Sequence, residues 1–225
     1  MDMSEQLSEG NAATATVTHN QEPVSRRNSR ENLDRLLAEI IEYPERRDQI
    51  TKSIEEMFGQ EKAIMILDMS GFSATTQRLG ITSFLLMIHE MQTIATPCVF
   101  AHKGLLLKAE ADNLFCLFDT VSDAVHASQE ITRHLTAANQ LLPHDRRLYV
   151  SIGIGYGTIL NIADHDLYGN EVNLASKLGE DIAAMGDILL TFAARSNLPE
   201  SDIVTKEETV TVSGLELPYF VVQGV

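Results

Sequence analysis

The stretch Ala63-Ile-Met-Ile-Leu-Asp-Met-Ser-Gly-Phe-Ser73 decides how the rest of the chain is read. Five consecutive apolar residues, ended by a polar segment with a glycine, have the length of a strand rather than a helix, and an unbroken apolar run fits burial on both faces. Asp68 therefore stands where a buried strand emerges. Strand ends in open α/β sheets are where ligands bind, although an aspartate in that place also serves as an N-cap for a following helix.

Outward from this strand, short apolar runs alternate with helical periods, which predicts an α/β (α+β) fold. Downstream, residues 73–98 read as one or two helices, 105–108 and 114–118 as strands around a tight acidic turn, and 121–138 as a helix. Strands are expected at 148–155, 158–162 and 188–191, a helix at 170–185 closed near Gly186, and a last hairpin of 210–213 with 217–222 across Gly214-Leu215. Upstream, Leu33, Leu36, Leu37, Ile40 and Ile41 follow the spacing of an amphipathic helix, which Pro44 must end or kink. A second helix is expected over 45–58, with Ile50, Ile54, Met57 and Phe58 on its apolar side and Gly59 as its C-cap. The two stripes can pack on the domain or on a second chain. Ser29 is an N-cap candidate for the first of them. The organisation is thus a disordered tail over 1–28, too polar to repay the entropy of ordering, a helical segment over 29–60, and a folded domain over 61–225.

Seventeen Lys and Arg against 32 Asp and Glu leave a net charge of −15 on 225 residues, so a nucleic-acid partner is disfavoured by repulsion. The longest apolar runs, such as Phe84 to Ile88, fall short of the roughly 20 residues that span a bilayer, and no membrane segment is expected. The N-terminus lacks the basic and apolar regions of a secretory signal, and two cysteines make no disulfide framework, so the expected location is cytoplasmic. Cys98 and Cys116 read as small core residues, and the seven histidines show no paired ligand spacing.

The acidic turn, Lys108-Ala-Glu-Ala-Asp-Asn113, lies between two apolar strands. Asp and Asn are ordinary turn formers. If those strands lie beside the 63–67 strand, however, Asp112 and Asp68 converge at one edge. Two carboxylates without His or Cys suit a hard cation, Mg²⁺ or Mn²⁺, completed by water and substrate phosphates, which points to a nucleoside triphosphate. Further on, Asp166-Leu-Tyr-Gly-Asn-Glu-Val-Asn-Leu-Ala-Ser-Lys177 sets Asn173 and Lys177 at i, i+4 on one helix face, with Asp166 on the approach; a solvated polar face is the plainer reading.

Together these three separated motifs resemble the catalytic domain of class III nucleotidyl cyclases, the adenylate and guanylate cyclase family, over about residues 62–195. Leu67-Asp-Met-Ser-Gly-Phe-Ser73 is similar to the family's Asp-Ile-x-Gly-Phe-Thr, Tyr168-Gly-Asn-Glu-Val-Asn-Leu-Ala-Ser176 to its Trp-Gly-x-x-Val-Asn-x-Ala-Ser, and Lys108 to Asp112 fills its Lys-x-x-Gly-Asp turn. The resemblance implies a ferredoxin-like βαβ core, with 61–225 as the catalytic domain, working as a homodimer whose active sites lie in the interface. It implies that Asp68, Asp112 and the Met69 carbonyl hold two Mg²⁺ (or Mn²⁺) ions, which activate the ribose 3′-OH and neutralise the departing pyrophosphate. It implies that Lys108 and Asp166 of the facing chain read adenine, that Asn173 orients the ribose, that Lys177 faces the triphosphate, and that Phe72 belongs to the substrate-binding set. The implied activity is conversion of ATP to cyclic AMP.

Lys and Asp complement adenine, yet guanine also offers an acceptor beside a donor, so GTP or a pyrimidine triphosphate stays open. The chain departs from the family at Lys177, usually an Arg, at Ala111, usually a Gly, at Gly155, often a His, and in a short stretch between Gly157 and Asp166. Loss of the planar guanidinium at a transition-state clamp costs on the order of 10² to 10³ in rate. The alternative is accordingly a weak or inactive cyclase-like module that binds a nucleotide and regulates a partner. A haloacid-dehalogenase-type phosphatase needs a second acid two residues after Asp68, where Ser70 stands, and Gly153, Gly155 and Gly157 lack the helix a dinucleotide loop requires.

Overall fold

The computed structural model of the chain describes residues 28–70, 80–199, 203–212 and 215–224. The sequence expectations for the tail, for the start of the 73–98 helix, for Phe72 and for the Gly214 turn lie outside the described residues.

β1 (Gly59–Met69) lies inside the sheet, with both neighbours antiparallel to it. It continues through α3 (Ile81–Ala101) to β2 (Leu105–Glu110), turns to β3 (Asn113–Phe118), and returns through α4 (Val121–Asn139) to β4 (Val150–Ile162). The spatial order β2-β3-β1-β4 is that of a ferredoxin-like split βαβ core. β6 (Ile188–Thr191) runs parallel to β4, and the hairpin of β7 (Thr205–Val212) and β8 (Leu215–Val222) extends the sheet beyond β6. Two helices precede this core, α1 (Arg30–Glu42) and α2 (Arg47–Phe58), and two short ones lie within its second half, α5 (Asn170–Lys177) and α6 (Phe192–Ser196). Ser29 caps α1 by accepting a hydrogen bond from the Asn32 N–H.

Alternation along β1 separates two faces. Ala63, Met65, Leu67 and Met69 point into the main core, against α3, α4 and the matching residues of β3, β4 and β6. Ile64 and Ile66 point the other way, into a smaller cluster with Leu107, Leu117, Ile159, Val172 and Ala175. α3 is long and apolar enough to cross a bilayer by length and composition alone. Its Phe84, Met87, Met91, Ala95, Cys98 and Val99 are nevertheless buried against the sheet, as in the core helix of a folded domain.

The second face explains the run Gly153-Ile-Gly-Tyr-Gly157. Ile152 and Ile154 fill the main core while the glycines face α5. A Cβ on Gly153 would stand 2.0 Å from the Ala175 carbonyl oxygen and one on Gly155 2.6 Å from that of Glu171, so α5 reaches the sheet only because these side chains are missing. β4 is one 13-residue strand rather than two, because Gly157 and Tyr156 keep their pairing with Lys62 and Ala63. The expected helix over 170–185 stops at Lys177 and widens into a π-turn over Leu178–Ile182. A short strand that the pattern did not reveal, β5 (Asp166–Tyr168), folds back on the end of β4. The connecting turn has Ala163 at φ 53° and Asp164 at φ 54°, with His165 N–H bonded to the Ile162 carbonyl at 3.0 Å, which is a type I′ hairpin built without glycine. Buried Asn161 supports it through hydrogen bonds to Asp164.

The apolar stripes of α1 and α2 pack on their own chain. Leu33, Leu36, Ile50, Ile54 and Phe58 close over Ile162 and Leu160 at the far end of β4. Leu37 and Ile41 remain exposed.

Candidate active site

Asp68 shares the parity of Ile64 and Ile66, so its side chain projects on the second face, near the end of β1 and opposite Ser151 of β4. Asp112 is presented beside it by the β2–β3 turn, whose preceding residue, Ala111, is held at φ 52°. The π-turn adds a third acid: Glu180 accepts hydrogen bonds from Ser176 Oγ at 2.7 Å and from Asn113 Nδ2 at 3.2 Å. Partial burial, then the charge of Asp112, then that of Glu180 push the Asp68 carboxyl up to about 6, against only a compensating hydrogen bond from the Met69 backbone. Asn113 Oδ1 is buried beside them with no hydrogen-bond partner. The three carboxylates feel one another electrostatically, although among the described residues they do not form a group with one oxygen from each within 4.8 Å; with the Asn113 amide oxygen they are the oxygen ligand types that a hard divalent cation takes. The side chain of Met69 lies in the main core, which leaves only its backbone on offer there. Glu180 escaped the sequence reading because a regular helix over 170–185 gives no reason to single it out.

Lys108 and Asp166 also meet. Lys108 Nζ lies 3.8 Å from Asp166 Oδ1, 2.9 Å from Glu110 Oε2, and 4.7 Å from the centre of the Phe115 ring. The Glu110 carboxylate, more than Asp166, holds the lysine ammonium above its ordinary range. A residue from the helical segment joins them: Arg30 donates to the Tyr168 hydroxyl at 2.7 Å and lies 3.7 Å from Asp166 Oδ2.

Asn173 is exposed on α5, and Lys177 at its end pairs with Asp181 one turn on. Lys177 also borders an apolar pocket lined by Leu174, Leu178, Phe192, Leu217 and Tyr219, on the β8 side of α5. Among the described residues no hydrogen bond or ion pair links Asn173 or Lys177 to Asp68 or Asp112. One chain thus places the acid pair and the Lys108–Asp166 pair apart from each other.

This fold, with acids at the end of its central strand, is that of nucleotidyl cyclase catalytic domains. Residues 57–224 match the family described as the adenylate and guanylate cyclase catalytic domain, and the chain belongs to that family. Its members use divalent metal ions, act on nucleotides and usually dimerise. The guanylyl cyclase Cya2 has a similar structure at TM-score 0.66 and 20% identity, over 74% of this chain and 93% of that one. So has the adenylyl cyclase CyaB from P. aeruginosa, at TM-score 0.64 and 20% identity, over 74% and 96%. By sequence the chain is 28% identical over 129 residues, 57% of its length, to a Rhizobium meliloti (strain 1021) protein whose name assigns it provisionally as adenylate cyclase 3. It is 30% identical over 151 residues, 67% of its length, to the uncharacterized protein Rv2212 of Mycobacterium tuberculosis (strain ATCC 25618 / H37Rv). The matched stretches span 22% and 38% of those two relatives.

Proposed function

We propose that the protein is an adenylate cyclase, converting ATP to cyclic AMP and pyrophosphate, and that it does so as a homodimer with shared sites. The observation that carries this reading is that Asp68, at the end of β1, feels the charges of Asp112 and Glu180 while no cation among the described residues pairs with it. Asp68, Asp112 and the Met69 carbonyl hold two Mg²⁺ (or Mn²⁺) ions, which supply Lewis acidity to the ribose 3′-OH and charge neutralisation to the triphosphate. Lys108 donates to and Asp166 accepts from the adenine edge of a nucleotide bound across the dimer. Asn173 orients the ribose so that its 3′-oxygen lies in line with the α-phosphorus, and Lys177 neutralises charge on the phosphates as the bond to pyrophosphate breaks.

The test is product formation by purified protein from ATP, GTP, CTP and UTP in turn, with Mg²⁺ and with Mn²⁺. Cyclic AMP is the expected main product, and Asp68→Ala abolishes it. Equal inactivity of folded, dimeric wild type and variant would sink the enzyme reading.

A second reading, a nucleotide-binding regulator with little turnover, is favoured by two observations. Lys177 stands where the family usually has Arg and is drawn to Asp181, and Ala111 carries backbone strain next to Asp112. Under it, ATP raises the melting temperature without product, and Lys177→Arg leaves turnover unchanged. Under the first, Lys177→Arg raises kcat by about tenfold or more, because a planar fork is restored at the phosphates.

A further inference from the structure

The helix-covered face carries a second constellation that the nucleotide site does not use. α3 and α4 lie side by side, with Cys98 on α3 and His102 at its C-cap, and Glu130 and His134 one turn apart on α4. Cys98 Sγ lies 3.5 Å from His134 Nδ1, and one ligand atom from each of Cys98, Glu130 and His134 falls within 4.8 Å of the others. His102 Nε2 is 2.7 Å from Glu130 Oε2, and the His126 ring stands 6.1 Å from that of His102. The expectation that the histidines lack paired ligand spacing stands beside this cluster, which contains a single histidine, His134.

We propose that Cys98 Sγ, the Glu130 carboxylate and His134 Nδ1 form a Zn²⁺ site that ties α3 to α4, with His102 orienting Glu130 from outside the ligand shell. Metal–sulfur and metal–nitrogen bonds of about 2.3 and 2.05 Å at a tetrahedral angle place S and N about 3.6 Å apart, which is the separation found. A thiolate and an imidazole select a borderline or soft ion over Mg²⁺, so this site and the all-oxygen corner do not compete for one metal. The hydrogen-bonded His102–Glu130 pair is the outer support that metal ligands ordinarily have. Cys98 is buried, Glu130 is about one-quarter exposed, and His134 is more than half exposed, which leaves a way in from solvent. Binding forms the Zn–S bond and releases the thiol proton to solvent. Asp68 projects on the opposite face of β1, and the two sites are therefore separable by substitution.

Full-length protein stripped with a chelator is titrated with Co²⁺, read by its thiolate charge-transfer absorption, and then with Zn²⁺ to displace it. A thiolate band of equal intensity, corresponding to one Co²⁺ per chain at this site, is expected in wild type, in Asp68→Asn and in Cys116→Ser, and no such band in Cys98→Ser. His134→Ala, an exposed position that folding tolerates, weakens Co²⁺ binding at least tenfold and removes the rise in melting temperature that Zn²⁺ gives wild type. A folded wild type without the band overturns the proposal, as does a band that survives Cys98→Ser or an affinity unchanged by His134→Ala.

Discussion

The acid corner at the end of β1 and the Lys108–Asp166 patch share one face of the sheet, yet their electrostatics are opposite. At the corner, Asp68 feels the charges of Asp112 and Glu180 and, among the described residues, no cation pairs with it, so burial and like charge raise its carboxyl to about 6. At the patch, Lys108 is already matched by Glu110 and Asp166, and Asp166 again by Arg30. Folding leaves the first with an unmet demand for a cation and the second close to balance. The contrast separates where catalysis should be lost from where it should only be retuned.

The largest effect is expected at the corner. Asp112→Ala should reduce kcat by at least about 10³, as when a principal transition-state stabiliser is removed, with the melting temperature of the metal-free protein unchanged or raised. A loss no greater than that from substituting Lys108 would break the contrast.

The same frustration fixes a pH dependence. Because the folded pKa of Asp68 lies above its ordinary value of 3.8, the native state binds more protons than the unfolded chain between about 4 and about 6. Asp68 therefore costs stability progressively as pH rises through that window, and the cost is constant above it. Metal binding needs the carboxylate, so Mn²⁺ affinity should rise with pH up to about 6 and then level off. Calorimetric titration at pH 5, 6 and 7 measures this, and Asp68→Asn should flatten the stability profile over the same window.

At the patch, Lys108→Ala should lower kcat/KM for ATP by about 10- to 100-fold, the range for one lost polar contact to a substrate, and lower that for GTP by less. Arg30→Ala tests the outer member of the set. The Arg30 side chain is about half exposed, so a change of more than a few-fold in KM for ATP would show that the helical segment shapes this patch more firmly than its exposure implies.

These sites were legible to different depths. The run 63–67 announced a central strand because it is continuous and apolar, and Asp68 and Asp112 followed from its end and from the turn chemistry of 110–113. Lys108 and Asp166 had no such signal; the family motif pointed to them, and their meeting depends on β5, which residues 163–165 conceal because Ala163 is a poor turn former. Gly157 looked like a strand break because a glycine's second use, letting α5 touch the sheet, is tertiary. Cys98 and His134, 36 residues apart in sequence, form a cluster only because their two helices pack side by side.

The smallest expected effect sharpens the contrast most finely. Ala111 sits at φ 52°, where an L-residue with a Cβ costs about 1–2 kcal/mol, whereas none of the patch residues has a positive φ among those described. Glycine removes that cost but adds back roughly 0.4–1 kcal/mol of unfolded-chain entropy. Ala111→Gly should therefore stabilise the protein by about 0.5 kcal/mol, raising the melting temperature by about 1–2 °C. If strain at this turn also displaces Asp112 from its working position, kcat rises with the substitution while KM stays fixed. A gain in stability with no gain in kcat would mean that Asp112 is already in place and that the strain is borne by the turn alone.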